Sequence, residues 1–240
     1  DKRIFKLDAN NTSYIIGIVD DENFIGHVYF GRRIADGHFS PESLMRINEY
    51  PFVPSKNKRD RLSFYDTFPQ EYPTHGIGDF RETCLEIRDV NGHAVSKLQY
   101  VSHRITGGKP KLEGLPATFG NEDDCTTLEL FCEDPVLGLE VVLVYTAFEK
   151  LDVITRSVRF RNNGRDPVWL KKALSCCVDL DGADFDIISL HGSWARERHV
   201  QRIPAGLGKK IFSSNRGEPG HQCNPFVAVA GSDATEDFGE

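Results

Sequence analysis

Short runs of β-branched and aromatic residues, alternating with polar ones every second position, recur along nearly the whole sequence, and no window of helical length carries an apolar stripe at i, i+3, i+4, i+7. A chain patterned this way has to build sheets. The clearest run is Val153 to Arg161, where Ile154, Arg156, Val158 and Phe160 share one face and Val153, Thr155, Ser157 and Arg159 the other. Further strands are expected at Ile4 to Leu7, Ser13 to Val19, Gly26 to Phe30, Cys84 to Arg88, Gln99 to Ile105, Thr127 to Cys132 and Leu139 to Phe148. The series continues with Val168 to Val178, Phe185 to Leu190, Arg196 to Ile203, Lys210 to Ser214 and Pro225 to Ala230.

Turn chemistry favours hairpins. Asn91-Gly92 and Asn163-Gly164 each separate two strand-like runs and supply residues that tolerate positive φ. Many strands with short connections imply an all-β fold, a large antiparallel two-sheet sandwich rather than a parallel α/β layout. With 240 residues and 39% hydrophobic content, the chain is expected to form one globular domain with a sizeable core.

The formal charge is −7 and no Lys/Arg stripe is concentrated anywhere, so the chain lacks the electrostatic footprint of a nucleic-acid binder. No stretch approaches the ~18 consecutive apolar residues of a membrane helix. The opening Asp1-Lys2-Arg3-Ile4-Phe5-Lys6 has no apolar leader after it, and a cytoplasmic location is expected. The six cysteines (Cys84, Cys125, Cys132, Cys176, Cys177, Cys223) form no CxxC pair and no small disulfide framework, which fits reduced thiols. His221 and Cys223 have no partner cluster for zinc, and Gly107-Gly108-Lys109-Pro110 lacks the spacing of a phosphate loop. No cofactor is expected.

From Gly37 to Gly78 the sequence is long, polar and proline-bearing, the composition of a functional or disordered loop. Lys56, Lys58, Arg59 and Arg61 read as a solvated surface, while Phe64, Tyr65, Phe68 and Tyr72 pin the far end by aromatic burial. Glu71 and Asp79 tempt as a catalytic pair, since retaining glycoside hydrolysis uses two carboxyls ~5 Å apart. Their Pro, Gly and aromatic neighbours instead imply capping of a tight turn. Arg81, Arg196, Glu197 and Arg198 read as ion-pairing residues rather than ligands.

The segment Phe68-Pro69-Gln70-Glu71-Tyr72-Pro73-Thr74-His75-Gly76-Ile77-Gly78-Asp79-Phe80-Arg81 is similar to a signature in the amino-terminal domain of bacterial retaining α-galactosidases of the raffinose/melibiose type. It is joined in order by Gly114-Leu115-Pro116-Ala117-Thr118, Gly138-Leu139-Glu140-Val141, Tyr145-Thr146-Ala147-Phe148-Glu149-Lys150 and Val153-Ile154-Thr155-Arg156-Ser157. Gly192-Ser193-Trp194-Ala195-Arg196-Glu197-Arg198 and His221-Gln222-Cys223-Asn224-Pro225-Phe226 complete the series. The resemblance implies a supersandwich of two large sheets, incomplete here at its C-terminal end, with a downstream (β/α)₈ barrel that carries both catalytic aspartates. It therefore implies no catalytic residue within these positions.

The resemblance also implies substrate contacts. The Trp matching Trp194 lines the galactose pocket beside the barrel, a role suited to a flat ring that packs on pyranose C–H groups. Part of the long loop reaches a neighbouring subunit's pocket; alignment places Asn48 where relatives carry an acid, with Arg61 as a second polar contact. Asn forms neutral hydrogen bonds, about half as strong as charge-assisted ones. Trp169 is expected in the core. The implied partners are a galactoside substrate, the chain's own barrel, and further copies in a homo-oligomer, a tetramer. The competing expectation is a free-standing carbohydrate-binding or scaffold sandwich, because a sandwich alone does not specify function.

Overall fold

The computed structural model describes residues 3–19, 22–37, 69–77, 81–114, 117–180, 182–218, 220–235 and 237. These contain twelve strands and no helix: β1 (Ile4–Asp8), β2 (Thr12–Val19), β3 (Phe24–Arg32), β4 (Leu85–Arg88), β5 (Gln99–Gly107), β6 (Thr126–Asp134), β7 (Leu139–Phe148), β8 (Val153–Asn162), β9 (Trp169–Ala173), β10 (Phe185–Ser193), β11 (Arg196–Pro204) and β12 (Val227–Gly231). The strand pairings are antiparallel. The chain divides into two compact units, Asp1–Leu180 and Asp181–Glu240.

In the first unit the sheets run β1-β2-β3, β5-β6-β7-β8 and the pair β4-β9. One apolar core joins them: Leu7, Tyr14, Ile16, Ile18 and Ile25 from the first sheet, Leu85 and Ile87 from β4, and Leu128, Leu130, Val141, Leu143 and Tyr145 from the large sheet. This is the packed interior of a β-sandwich, the all-β architecture the period-two pattern predicts. The strand with the cleanest alternation behaves as read, for Ile154, Val158 and Phe160 of β8 pack against that core. Central β7 is buried along its length except at Glu140, which is why its sequence, LEVVLVYTAF, reads as a continuous apolar run. In the second unit β10 is central, between β11 and β12.

Five local expectations are corrected. Asn91-Gly92 makes a turn, with Gly92 at φ 86° and Asp89 Oδ1 accepting from the backbone N–H of Asn91 (2.9 Å) and His93 (2.8 Å). The strands around it do not form a hairpin, because β4 pairs with β9 and β5 with β6. Asn163-Gly164 likewise joins two strands that do not pair with each other, since β8 pairs with β7 and β9 with β4. Here the backbone packs onto another turn, the Asn163 N–H donating to the Gly138 carbonyl at 2.8 Å, and a Cβ on Gly138 would lie 2.8 Å from Gly164. Lys210 to Ser214 is exposed and unpaired in strand terms, and the Val168 to Val178 run narrows to β9. Finally, Trp169 is 52% exposed on β9 rather than core. A β-prone run becomes a strand only where an edge is available to receive it.

Candidate functional site

The signature around Glu71 is a buried polar hub. Its side chain is wholly buried, and the carboxylate accepts the Tyr14 hydroxyl (2.7 and 2.9 Å), the Tyr145 hydroxyl (2.7 Å) and Arg156 Nη1 (2.9 Å), with His27 Nδ1 at 3.0 Å. Tyr14 comes from β2, His27 from β3, Tyr145 from β7 and Arg156 from β8. Both ring nitrogens of His27 face oxygens, since Nε2 lies 3.1 Å from the Asp179 carbonyl. Burial first, and the neighbouring carboxylate second, push the Tyr14 and Tyr145 hydroxyls well above their ordinary pKa, so both stay protonated donors. The Arg156 guanidinium also stacks on the Tyr145 ring, 4.2 Å from its centroid.

This arrangement holds the sandwich together from the inside. The expected structural role of Glu71 is therefore met by a different means, an ion pair roofed by phenols, and not by capping a turn. One signal for it was present in the sequence: Arg156 sits among Ile154, Val158 and Phe160 on a core-facing edge, and a buried guanidinium demands a buried anion. Asp79, Asn48 and Arg61 lie outside the described residues. Arg81 does form the expected ion pair, with Asp179.

Trp194 occupies the tip of the β10–β11 hairpin. Ser193 pairs with Arg196, leaving Trp194 and Ala195 as a two-residue loop, and the register shifts between His191 and Ser193. Gly192 is required by this close reversal, because a Cβ there would come within 2.1 Å of the Arg196 carbonyl oxygen. Ala195 adopts φ 63°, and such a conformation in a non-glycine residue costs on the order of 1 kcal/mol. Its amide donates to Glu197 Oε1 at 2.9 Å, and Arg196 Nε donates to Ser193 Oγ at 3.3 Å. The Ala195 amide first, and then the backbone N–H of Glu197 itself, hold the Glu197 carboxyl below the usual range. His221 Nδ1 lies 3.6 Å from the same carboxylate.

The result is a braced tip that presents a Trp ring to solvent, 83% exposed. The strained backbone is at Ala195 and the exposed ring at its neighbour Trp194. Among the described residues no cluster of three or more His, Cys, Asp or Glu could hold a metal.

An all-β sandwich module with an exposed aromatic hairpin defines a class, and comparison with known proteins supplies the family. Residues 23–240 match the family described as the Glycosyl hydrolase family 36 N-terminal domain, and the chain belongs to that family. It is 41% identical over 237 residues to "Alpha-galactosidase AgaA" of Geobacillus stearothermophilus, covering 98% of this chain and 32% of that protein. It is 36% identical over 240 residues to the bifunctional α-galactosidase/sucrose kinase AgaSK of Mediterraneibacter gnavus, covering 99% of this chain and 25% of that protein. The AgaA crystal structure superposes with a TM-score of 0.90 at 40% identity over 97% of this chain and 32% of its own. An AgaA variant, A355E D548N, has been crystallised with raffinose. The α-galactosidase of Lactobacillus brevis gives 0.91 at 34% identity over 98% of this chain and 32% of its own. The chain thus spans about a third or less of the length of these relatives.

Proposed function

We propose that this chain is the amino-terminal accessory module of a retaining α-galactosidase that removes terminal α-galactosyl residues from melibiose- and raffinose-type oligosaccharides. The observation that carries the reading is the match of nearly the whole chain, at 41% identity, to the corresponding third of AgaA. In this reading the two catalytic aspartates belong to a (β/α)₈ barrel beyond Glu240, and this segment alone is inactive. Trp194 supplies a wall of the sugar pocket, its ring packing on the pyranose C–H face. Asn48 and Arg61 add polar contacts from the long loop to a neighbouring copy's pocket, in a cytoplasmic homotetramer.

The test is the full-length protein carrying Trp194→Ala, assayed on melibiose and raffinose. The expected outcome is a fall in kcat/KM of tenfold or more, about 1.4 kcal/mol of transition-state binding, with an unchanged melting temperature because the ring is exposed. Unchanged kcat/KM removes Trp194 from the pocket. A full-length protein that binds raffinose without cleaving it favours a carbohydrate-binding module instead.

A further inference from the structure

The outer face of the β5–β8 sheet holds a second polar site, independent of the Trp194 hairpin. Register places it there: Thr146 pairs with Thr155 and Val144 with Ser157, one step from the Leu143–Val158 and Tyr145–Arg156 pairs that face the core. Residues 109–112 and 117–118 border, on this face, an open cavity of about 210 Å³, lined among others by Lys109, Thr118, Thr146, Thr155, Ser157 and Arg159. That is about seven water molecules' share of liquid volume at ~30 Å³ each. Its lining residues include Lys109, Arg156 and Arg159 and no carboxylate, in a chain of net charge −7; the Arg156 guanidinium is already paired with Glu71, which leaves Lys109 and Arg159 for a ligand.

The charges around it are unbalanced. Glu129 is buried and serves two arginines: its Oε2 accepts Arg104 Nε at 2.6 Å and its Oε1 accepts Arg159 Nη2 at 2.5 Å. One anion between two guanidiniums leaves a surplus positive charge, to which Lys109 adds a second; among the described residues Lys109 has no ion pair. The hydroxyls can be assigned. Thr127 Oγ1 donates to the Gly108 carbonyl at 2.6 Å, so its contact with Thr146 at 2.8 Å needs Thr146 to be the donor. Thr146 therefore has no proton for a ligand, whereas Thr118, Thr155 and Ser157 make no side-chain hydrogen bond among the described residues.

We propose that this cavity binds a small oxyanion of the phosphate class, free or as the monophosphate ester of a sugar. Arg159 offers its remaining N–H groups, Lys109 a point charge, and Thr155, Ser157 and Thr118 hydroxyls that can donate, a set rich in donors and without a carboxylate. Gly107-Gly108-Lys109 contributes through its lysine and not as a phosphate loop, since the Gly108 and Lys109 amides are committed to the Cys125 and Gly120 carbonyls at 2.8 and 2.9 Å.

The experiment titrates the full-length protein with inorganic phosphate, with glucose 6-phosphate and with neutral glucose, followed by calorimetry. The expected result is phosphate binding with a Kd of about 1 mM or tighter, weakened tenfold or more by Lys109→Gln and by Arg159→Gln. Glu129 keeps Arg104 in the second variant, and an unchanged melting temperature without phosphate verifies the fold of each. Tighter glucose 6-phosphate than phosphate assigns the ester; equal affinity assigns the free ion. No phosphate binding, or binding equal in wild type and both variants, overturns the site. Activity of the Trp194→Ala protein is unaffected by either outcome, so this proposal fails or stands apart from the functional one.

Discussion

At the residue scale the most consequential group is Glu71. A carboxylate with no exposure, paired with Arg156 and capped by two tyrosines, is tolerated only while every partner is present. Glu71→Gln leaves Arg156 buried without its anion and is expected to lower stability by about 3–5 kcal/mol, read by urea denaturation. The double variant Glu71→Leu with Arg156→Met is expected to lose less than the two single variants summed, because neither charge is then stranded; full additivity in the same denaturation series contradicts the coupling. Trp194 is the opposite case: it is 83% exposed, and Trp194→Ala is expected to leave stability within about 0.5 kcal/mol.

At the element scale, the two hairpin turns of the facing sheets are tied by Asp152, in the β7–β8 connection. Its carboxylate accepts the Asn11 amide, Asn11 Nδ2 at 2.9 Å and Thr12 Oγ1 at 3.4 Å, all from the β1–β2 turn and the start of β2. The Asn11 backbone bond first, then its side chain, hold the Asp152 carboxyl below the usual range. A depressed folded pKa contributes stability that is present above the unfolded value, ~3.9, and lost as pH falls through the folded one. Asp152→Ala is therefore expected to destabilise the chain at pH 6 and to match wild type at the acid end of the titration, in melting temperatures taken across that range. Within β7, Leu143 is wholly buried, so Leu143→Ala costs about 2–5 kcal/mol. Val101→Ala on β5, at 58% exposure, stays within about 0.5 kcal/mol; equal effects in denaturant titrations contradict the assignment of β7 as the central strand of that core.

At the scale of the whole molecule, the chain represents about a third or less of its relatives' length, and its own sandwich is the frame on which an enzyme's remaining parts are expected to assemble. Native mass spectrometry of the full-length protein is expected to give four copies per particle; a monomer at working concentration removes any contribution of Asn48 and Arg61 to a neighbouring pocket. Both units carry exposed polar features with separate tests, the Trp194 tip in one and the Lys109–Arg159 cavity in the other.

Alternation along β8 and the strand at Leu139 to Phe148 were legible in the sequence, because side-chain periodicity and β-propensity are local properties. The partner of each strand was not. Asn91-Gly92 and Asn163-Gly164 supply the residues a hairpin turn needs, yet β4 and β9 find each other across the intervening strands, since hydrogen-bonding edges are chosen by which surfaces meet in three dimensions. The same holds for chemistry. Glu71 looked like a turn residue until β2, β3, β7 and β8 converged on it, and the cations around Glu129 came from strands separated in sequence. Sequence by itself determined the class of fold and its family; only the tertiary structure decided which strands pair and which charges share a low-dielectric space, because that depends on distances no spacing along the chain encodes.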